Sequence, residues 1–208
     1  MPRLFLLLSC FLFFLNFPDL LAQKGYEPGY VVTKTFDTIP GSIKDRKGPP
    51  FAKIYKKIRF KGNSLFVKKY SPKQIQGYAR GEDIFESQWI QVSSRFFKTD
   101  YLSRENQGKK HFLKVKESGY LTYYQWDFMD QESSVVEWID LFKRRHEDYF
   151  VRVIQGILGL KMNQLSDYFE DCPELMEKIR NKELRTPMEI TRFYNEWVKG
   201  GISEGRKK

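Results

Sequence analysis

The residues YKKIRFKGNSLFVKKY, at positions 55–70, show most directly what kind of fold this chain has. Apolar and cationic side chains alternate on both sides of Gly62-Asn63, and a period of two is typical of a β-strand with one buried face. A Gly-Asn pair between two alternating runs predicts a two-residue type II′ turn. We therefore expect a β-hairpin formed by strands 55–61 and 64–70.

The predicted hairpin has two chemically different faces. One is apolar and carries Ile58, Phe60, Leu65 and Val67. The other would carry one aromatic and four cationic side chains: Lys57, Arg59, Lys61, Phe66 and Lys68. Lys57 would stand opposite Lys68, and because opposed like charges destabilise a sheet, an anionic partner bound to this face would explain the arrangement. A merely solvated face, with its long lysine side chains splayed apart, is the alternative.

Outward from this hairpin, short alternating runs broken by Gly, Pro, Asn and Asp predict antiparallel strands from Gly25 to about Gln155. They lie at residues 30–33, 39–44, 76–80, 84–92, 111–116 and 120–128. Residues 135–154 suit either another hairpin or a helix, because their apolar positions fit both.

After Gly156 the apolar spacing changes to three and four residues, which indicates helices. Capping-box patterns stand at two predicted helix starts, Asp171 with Glu174 and Thr186 with Glu189. The last helix has an apolar stripe that we expect to pack on the sheet: Ile190, Phe193, Tyr194, Trp197 and Val198. Gly200-Gly201 should end this helix. The predicted fold class is α+β, a mainly antiparallel β body followed by two or three C-terminal helices.

The first residues have the three regions of a cleavable signal peptide. Arg3 supplies the positive charge, residues 4–17 are almost wholly apolar, and the small residue Ala22 ends the segment. We expect cleavage between Ala22 and Gln23, and export to the periplasm, the cell envelope or the extracellular space. Besides the signal peptide at 1–22, we expect one domain, with a β-rich body at 23–155 and a helical part at 156–200, and then a disordered basic tail at 201–208.

Two other interpretations of the N-terminus fit less well. A membrane anchor needs roughly 20 predominantly apolar residues, and Asn16, Pro18 and Asp19 interrupt the run before that length. Leu7-Leu8-Ser9-Cys10 looks like a lipoprotein signal, but the apolar core before Cys10 is too short and more apolar residues follow it.

Charge and cysteine content narrow the class of protein further. The formal net charge is +10, which favours association with anionic partners. Removal of the signal peptide would leave one cysteine, Cys172, and so no intramolecular disulfide. Acidic neighbours argue against an activated thiolate at Cys172, and we expect this side chain to be buried.

The segments Gly29-Tyr30-Val31-Val32-Thr33, Asp37-Thr38-Ile39 and Gly41-Ser42-Ile43 resemble the opening of a group of exported β-rich proteins from Bacteroidetes. The segment Asp171-Cys172-Pro173-Glu174-Leu175 is similar to the helical close of the same group. The resemblance implies a β-rich fold and export, and it transfers no active site. Phe36 stands where the group usually has glycine, so a turn that requires a positive φ would strain this residue.

The sequence contains no metalloprotease, nucleophile-elbow, phosphate-loop or dinucleotide motif. We therefore expect no catalytic residue, metal or cofactor. Asp127, Asp130 and Glu132 are the best candidates for a carboxylate pair, which would make the protein an envelope hydrolase acting on carbohydrate. A solvated polar loop is the simpler interpretation of these three acids.

The sequence thus predicts an exported, non-enzymatic binding or structural protein of the cell envelope. Its partner would be an anionic glycan, a lipid headgroup or an acidic protein, bound by the face that carries Lys57, Arg59, Lys61, Phe66 and Lys68. Export argues against nucleic acid as the partner. After the signal peptide, the sequence has no apolar segment long enough to span a bilayer.

Overall fold

The structure is a computed structural model that describes residues 25–48, 52–64, 66–95, 98–130 and 135–205. The side chains of Lys98 and of residues 202–205 are not part of that description. The expected cleavage site between Ala22 and Gln23 lies outside the described residues.

The described chain forms eleven β-strands followed by three α-helices. The strands are β1 (Glu27–Val32), β2 (Thr38–Lys47), β3 (Lys53–Lys61), β4 (Lys68–Tyr70), β5 (Gly77–Arg80), β6 (Asp83–Arg95), β7 (Lys98–Leu102), β8 (Lys109–Glu117), β9 (Leu121–Met129), β10 (Val136–Arg144) and β11 (Tyr149–Arg152). The helices are α1 (Met162–Tyr168), α2 (Pro173–Arg180) and α3 (Pro187–Gly205), and a 3₁₀ turn at Gly156–Leu158 precedes them. This order confirms the prediction of an antiparallel β body followed by C-terminal helices.

Six of the strands close into a barrel, which the sequence did not predict. Around the ring they follow the order β6, β7, β11, β10, β9 and β8, and the pairing of β8 with β6 closes it. All of these pairings are antiparallel. An apolar cluster fills the interior: Ile90, Tyr101, Leu113, Tyr124, Leu141 and Phe150.

The other five strands continue the sheet outward from β6 in the order β5, β1, β2, β3 and β4, and we call them the extension sheet. One face of the extension sheet is buried in an apolar cluster that includes Val31, Ile43, Ile58 and Tyr78, with Phe112 of the barrel strand β8 packed against it. The opposite face of β2, β3 and β4 therefore points away from the barrel wall.

The helices cover a second part of the barrel wall. Their apolar side chains share one buried cluster with outward-facing residues of the barrel, Leu121, Tyr123, Phe142, Val151 and Val153. Asn195 of α3 fixes the contact, because its side chain both accepts a hydrogen bond from the Leu121 backbone N–H at 2.8 Å and donates one to the Leu121 carbonyl at 2.9 Å. In the parts of the chain described here, none of the helices combines the length and the hydrophobicity that crossing a membrane requires.

The predicted helix ends are only partly correct. The capping box of α3 is confirmed, since Thr186 and Glu189 exchange hydrogen bonds of 2.9 and 3.3 Å between side chain and backbone. Asp171 does not cap α2, whose N-cap residue Cys172 makes no side-chain cap bond. Gly200-Gly201 does not end α3, because neither glycine adopts the positive φ of a helix terminator and the helix continues to Gly205.

The turn between β1 and β2 contains a strained residue. Phe36 has a φ of 66°, so the turn does use the left-handed conformation that glycine would adopt freely. For a residue with a side chain this conformation costs about 1–2 kcal/mol. Backbone hydrogen bonds from Thr33 to Asp37 (2.9 Å) and from Phe36 to Thr33 (3.1 Å) hold the turn in place.

Candidate anion-binding face

The hairpin predicted around Gly62-Asn63 has a different register in the structure. Ile58 pairs with Tyr70, Arg59 with Lys69 and Phe60 with Lys68, and β4 begins only at Lys68. The prediction of a two-residue turn at Gly62-Asn63 is therefore wrong. Gly62 does not take the positive φ that a type II′ turn needs. A Cβ atom at position 62 would lie 2.9 Å from the ring of Phe60, so this glycine makes room for a core side chain.

This register changes which residues share a face. Lys68 stands opposite Phe60, which belongs to the buried face, and so Lys68 does not join Arg59 as predicted. Phe66 lies between β3 and β4 with 79% of its surface exposed, and it is not paired with Arg59. Lys69 takes the place that the prediction gave to Phe66.

The structure brings together a different set of cations on the outer face of the extension sheet. Lys44 on β2 is opposite Arg59 on β3, and Arg59 is in turn opposite Lys69 on β4. Lys57 and Lys61 stand two residues before and after Arg59 on the same strand. We call these five residues, Lys44, Lys57, Arg59, Lys61 and Lys69, the basic face.

Two tyrosine rings support the cations of the basic face. The Arg59 guanidinium lies 4.5 Å from the centre of the Tyr55 ring. The ammonium groups of Lys44 and Lys61 lie 5.8 and 6.0 Å from the centre of the Tyr26 ring. Such contacts contribute only about 0.5–1 kcal/mol each at exposed sites, so they hold the side chains in place without neutralising their charge.

Most of these cations lack a carboxylate partner. Among the described residues, no ion pair involves Lys57, Arg59, Lys61 or Lys69. The reason is visible in the sequence, where positions 38–70 hold ten Lys and Arg residues and one acid, Asp45. This charge imbalance is nearly as large as that of the whole chain, and it is a signal that the sequence analysis did not use.

Asp45 serves the opposite, buried face of the extension sheet. This residue is 2% exposed, and its carboxylate accepts hydrogen bonds from the Tyr78 hydroxyl at 2.9 Å and from the side chains of Arg46 and Arg80. Arg46 also contacts Asp127 on β9 at 3.1 Å. Although burial opposes its charge, these two carboxylates raise the pKa of Arg46. The only acid between positions 38 and 70 thus belongs to a buried network that joins β2 to β5, and Arg46 extends this network to Asp127 of the barrel.

The acids considered for a hydrolase are not arranged as a catalytic pair in the described residues. Asp127 lies within β9 and is bound to Arg46 instead of occupying a loop. The backbone N–H of Asp130 donates to the carbonyl of Val135 at 3.0 Å where β9 turns into β10, and Glu132 lies outside the described residues. This arrangement favours a structural role for Asp127.

Cys172 is buried, as the sequence analysis expected. Its side chain is fully enclosed in the cluster between the helices and the barrel. Burial raises the pKa of the Cys172 thiol, and the neighbouring carboxylates of Asp171 and Glu174 act in the same direction. The thiol is therefore poorly suited to act as a nucleophile.

Comparisons with known proteins leave the basic face to be judged on its own chemistry. No protein-family model matches the chain, no curated protein matches it, and no solved structure matches its fold.

Proposed function

We propose that this is an exported, non-enzymatic protein that binds an acidic glycan on the basic face. The observation that carries the proposal is the row formed by Lys44, Arg59 and Lys69 at opposed positions of three neighbouring strands. Opposed like charges destabilise a sheet, and a bound polyanion would remove that repulsion.

The geometry favours a glycan over other anionic partners. Neighbouring strands are about 4.8 Å apart, so the row repeats positive charge at a spacing that an extended polyanion can follow. Tyr26 and Tyr55 lie under these cations, and a ring face that the cations leave open would stack on the apolar face of a sugar ring. A lipid headgroup or an acidic protein would use the cations but has less need of the rings.

Retention on an immobilised acidic polysaccharide tests the proposal. One variant replaces Arg59, Lys61 and Lys69 with Gln, and a matched variant replaces three exposed lysines elsewhere, Lys109, Lys182 and Lys199. Both lose three charges, but only the first should elute at a clearly lower salt concentration. An equal shift for both would mean that retention reflects net charge alone, and it would overturn the proposal.

Two further binding experiments identify the chemical class of the partner. The same three proteins are mixed with vesicles that contain an anionic phospholipid, and separately with polyglutamate. We expect tighter binding to the polysaccharide at equal charge concentration. Stronger binding to the vesicles or to polyglutamate, lost only in the Arg59/Lys61/Lys69 variant, would keep the basic face as a site and replace the glycan by that partner.

Export is tested separately, on the full chain expressed in a bacterial host. We expect the protein outside the cytoplasm, with an intact mass that corresponds to a chain starting at Gln23. A protein that keeps residues 1–22, or one that stays in the cytoplasm, would contradict this part of the proposal.

A further inference from the structure

A groove of about 410 Å³ lies at the other end of the extension sheet, where β1, β5 and β6 meet. Most of its lining is apolar and includes Tyr30, Phe36 and Ile84, and its polar side chains include Gln76, Glu86 and Gln88. Among the described lining residues, Glu86 is the only charged one. The groove therefore differs in chemistry from the basic face.

Phe36 at the rim of the groove has a left-handed backbone conformation, which is unfavourable for a residue with a side chain. Its φ of 66° is one that glycine adopts without strain, and 75% of its surface is exposed. Phe36 thus gains little burial to compensate for the strain. The hydrogen bonds of the turn use backbone groups and the side chains of Thr33, Thr35 and Asp37, and none of them uses the Phe36 ring. Neither the local backbone nor the packing of the fold accounts for an aromatic residue at this position, whereas stacking against a bound ligand would account for it.

The polar end of the groove is held in a fixed arrangement. Glu86 Oε2 accepts a hydrogen bond from the Tyr124 hydroxyl at 2.6 Å and one from Gln88 Nε2 at 3.2 Å. Gln88 Oε1 in turn accepts from the Lys143 ammonium at 3.4 Å. Burial and the neighbouring Glu86 carboxylate raise the pKa of Tyr124, so its hydroxyl keeps the proton that it donates. A ligand that reaches this end meets preorganised donors and acceptors.

We propose that this groove binds a sugar ring that is neutral or carries an amino group. The apolar face of the ring would stack on Phe36, and its hydroxyl groups would bond to Gln76, Glu86 and Gln88. The carboxylate of Glu86 disfavours an acidic sugar. This site is separate from the basic face and does not depend on the function proposed for it.

Calorimetric titration of the full chain with three hexasaccharides tests the proposal: cellohexaose, N-acetylchitohexaose and its deacetylated form. At least one should bind, and Phe36→Gly should weaken that binding roughly tenfold or more, because it removes an aromatic contact. The same variant should melt at an unchanged or higher temperature, since glycine relieves the strained φ. A matched control is Phe66→Gly, the same change at an exposed position outside the groove, which should bind as the wild type does.

Phe36→Asn provides a second variant that tolerates the left-handed conformation, and it should also lose binding while remaining folded. The proposal is overturned if none of the three sugars binds, or if either folded Phe36 variant binds like the wild type. If both Phe36 variants lower the melting temperature, the aromatic ring has a structural role and the proposal is likewise wrong.

Discussion

The two faces of the extension sheet differ in whether their charged side chains are paired with opposite charges, although neighbouring residues of one strand contribute to both faces. On the buried face, Asp45 is surrounded by Arg46, Arg80 and the Tyr78 hydroxyl. On the outer face, Lys44 stands beside the cation of Arg59. The comparison shows that charge is neutralised where the extension sheet meets the barrel and accumulates where the sheet meets solvent. Opposed like charges of this kind destabilise a sheet, and this is why we propose that they serve binding.

The largest expected effect comes from the buried side of the comparison. Asp45→Asn leaves two arginines without their shared carboxylate, and we expect a loss of about 3–5 kcal/mol in the free energy of unfolding, measured by denaturant titration. Asp148→Asn is a suitable control, because it breaks an exposed ion pair with Arg104 and should barely change the denaturant concentration at which half of the protein is unfolded. If both variants unfold at similar denaturant concentrations, the contacts of Asp45 do not stabilise the extension sheet.

A second test compares two arginines that both stack on aromatic rings. Arg144 lies 4.5 and 5.0 Å from the ring centres of Tyr168 and Tyr194 and is bound to Asp171 at 2.7 Å. Arg144→Gln should lower the free energy of unfolding by about 2 kcal/mol, because partly buried acceptors lose their donor. Arg59→Gln should change it by less than about 0.5 kcal/mol. Equal losses would indicate that the basic face also stabilises the fold.

A third test uses pH. Burial opposes the ionisation of Asp83, but Lys114 and Arg80 outweigh it and lower the pKa of this carboxyl. Asp83 therefore stabilises the fold above its unfolded pKa of about 3.9, and this contribution is lost as the pH falls through the lower folded value. The difference in unfolding free energy between wild type and Asp83→Asn, expected to be less than about 1 kcal/mol, should be constant near neutrality and vanish in acid. A difference that grows in acid would contradict the assigned direction.

The smallest expected effect has the opposite sign. Lys69→Glu replaces repulsion from Arg59 with attraction, so the fold should become more stable by a few tenths of a kcal/mol. The same change should weaken retention on the acidic polysaccharide. Lys69→Gln removes the repulsion without adding attraction and should give an intermediate stability. Reduced stability in Lys69→Glu would mean that the charges on this face are not in conflict.

The sequence predicted local structure better than long-range pairing. Alternation located most of the strands, and the spacing of Thr186 and Glu189 located the start of α3, because these signals depend on neighbouring residues. Closure of the barrel depends on β6 pairing with β8 and β7 with β11, and no local pattern encodes those contacts. Strand β7 was missed because KTDYL alternates too weakly to stand out.

The sequence predicted some residues of the basic face correctly and others wrongly. Lys57, Arg59 and Lys61 follow from the alternation of a single strand, so these three were correctly grouped. Lys68 and Phe66 depended on the register, which was inferred from Gly62-Asn63 as a turn signal. Gly62 is instead required because a larger side chain there would collide with the Phe60 ring. A single sequence does not distinguish a glycine needed for a turn from one needed for packing.

The burial of Cys172 makes it a natural reporter for the layer of helices. It is the only cysteine in the part of the chain described, and it lies at the N-terminus of α2, between the helices and the barrel. A thiol reagent can reach it only when the helices separate from the barrel wall. The rate at which a thiol reagent modifies Cys172, followed on the peptide that contains this residue, would therefore measure how often the helical layer opens, without an engineered cysteine.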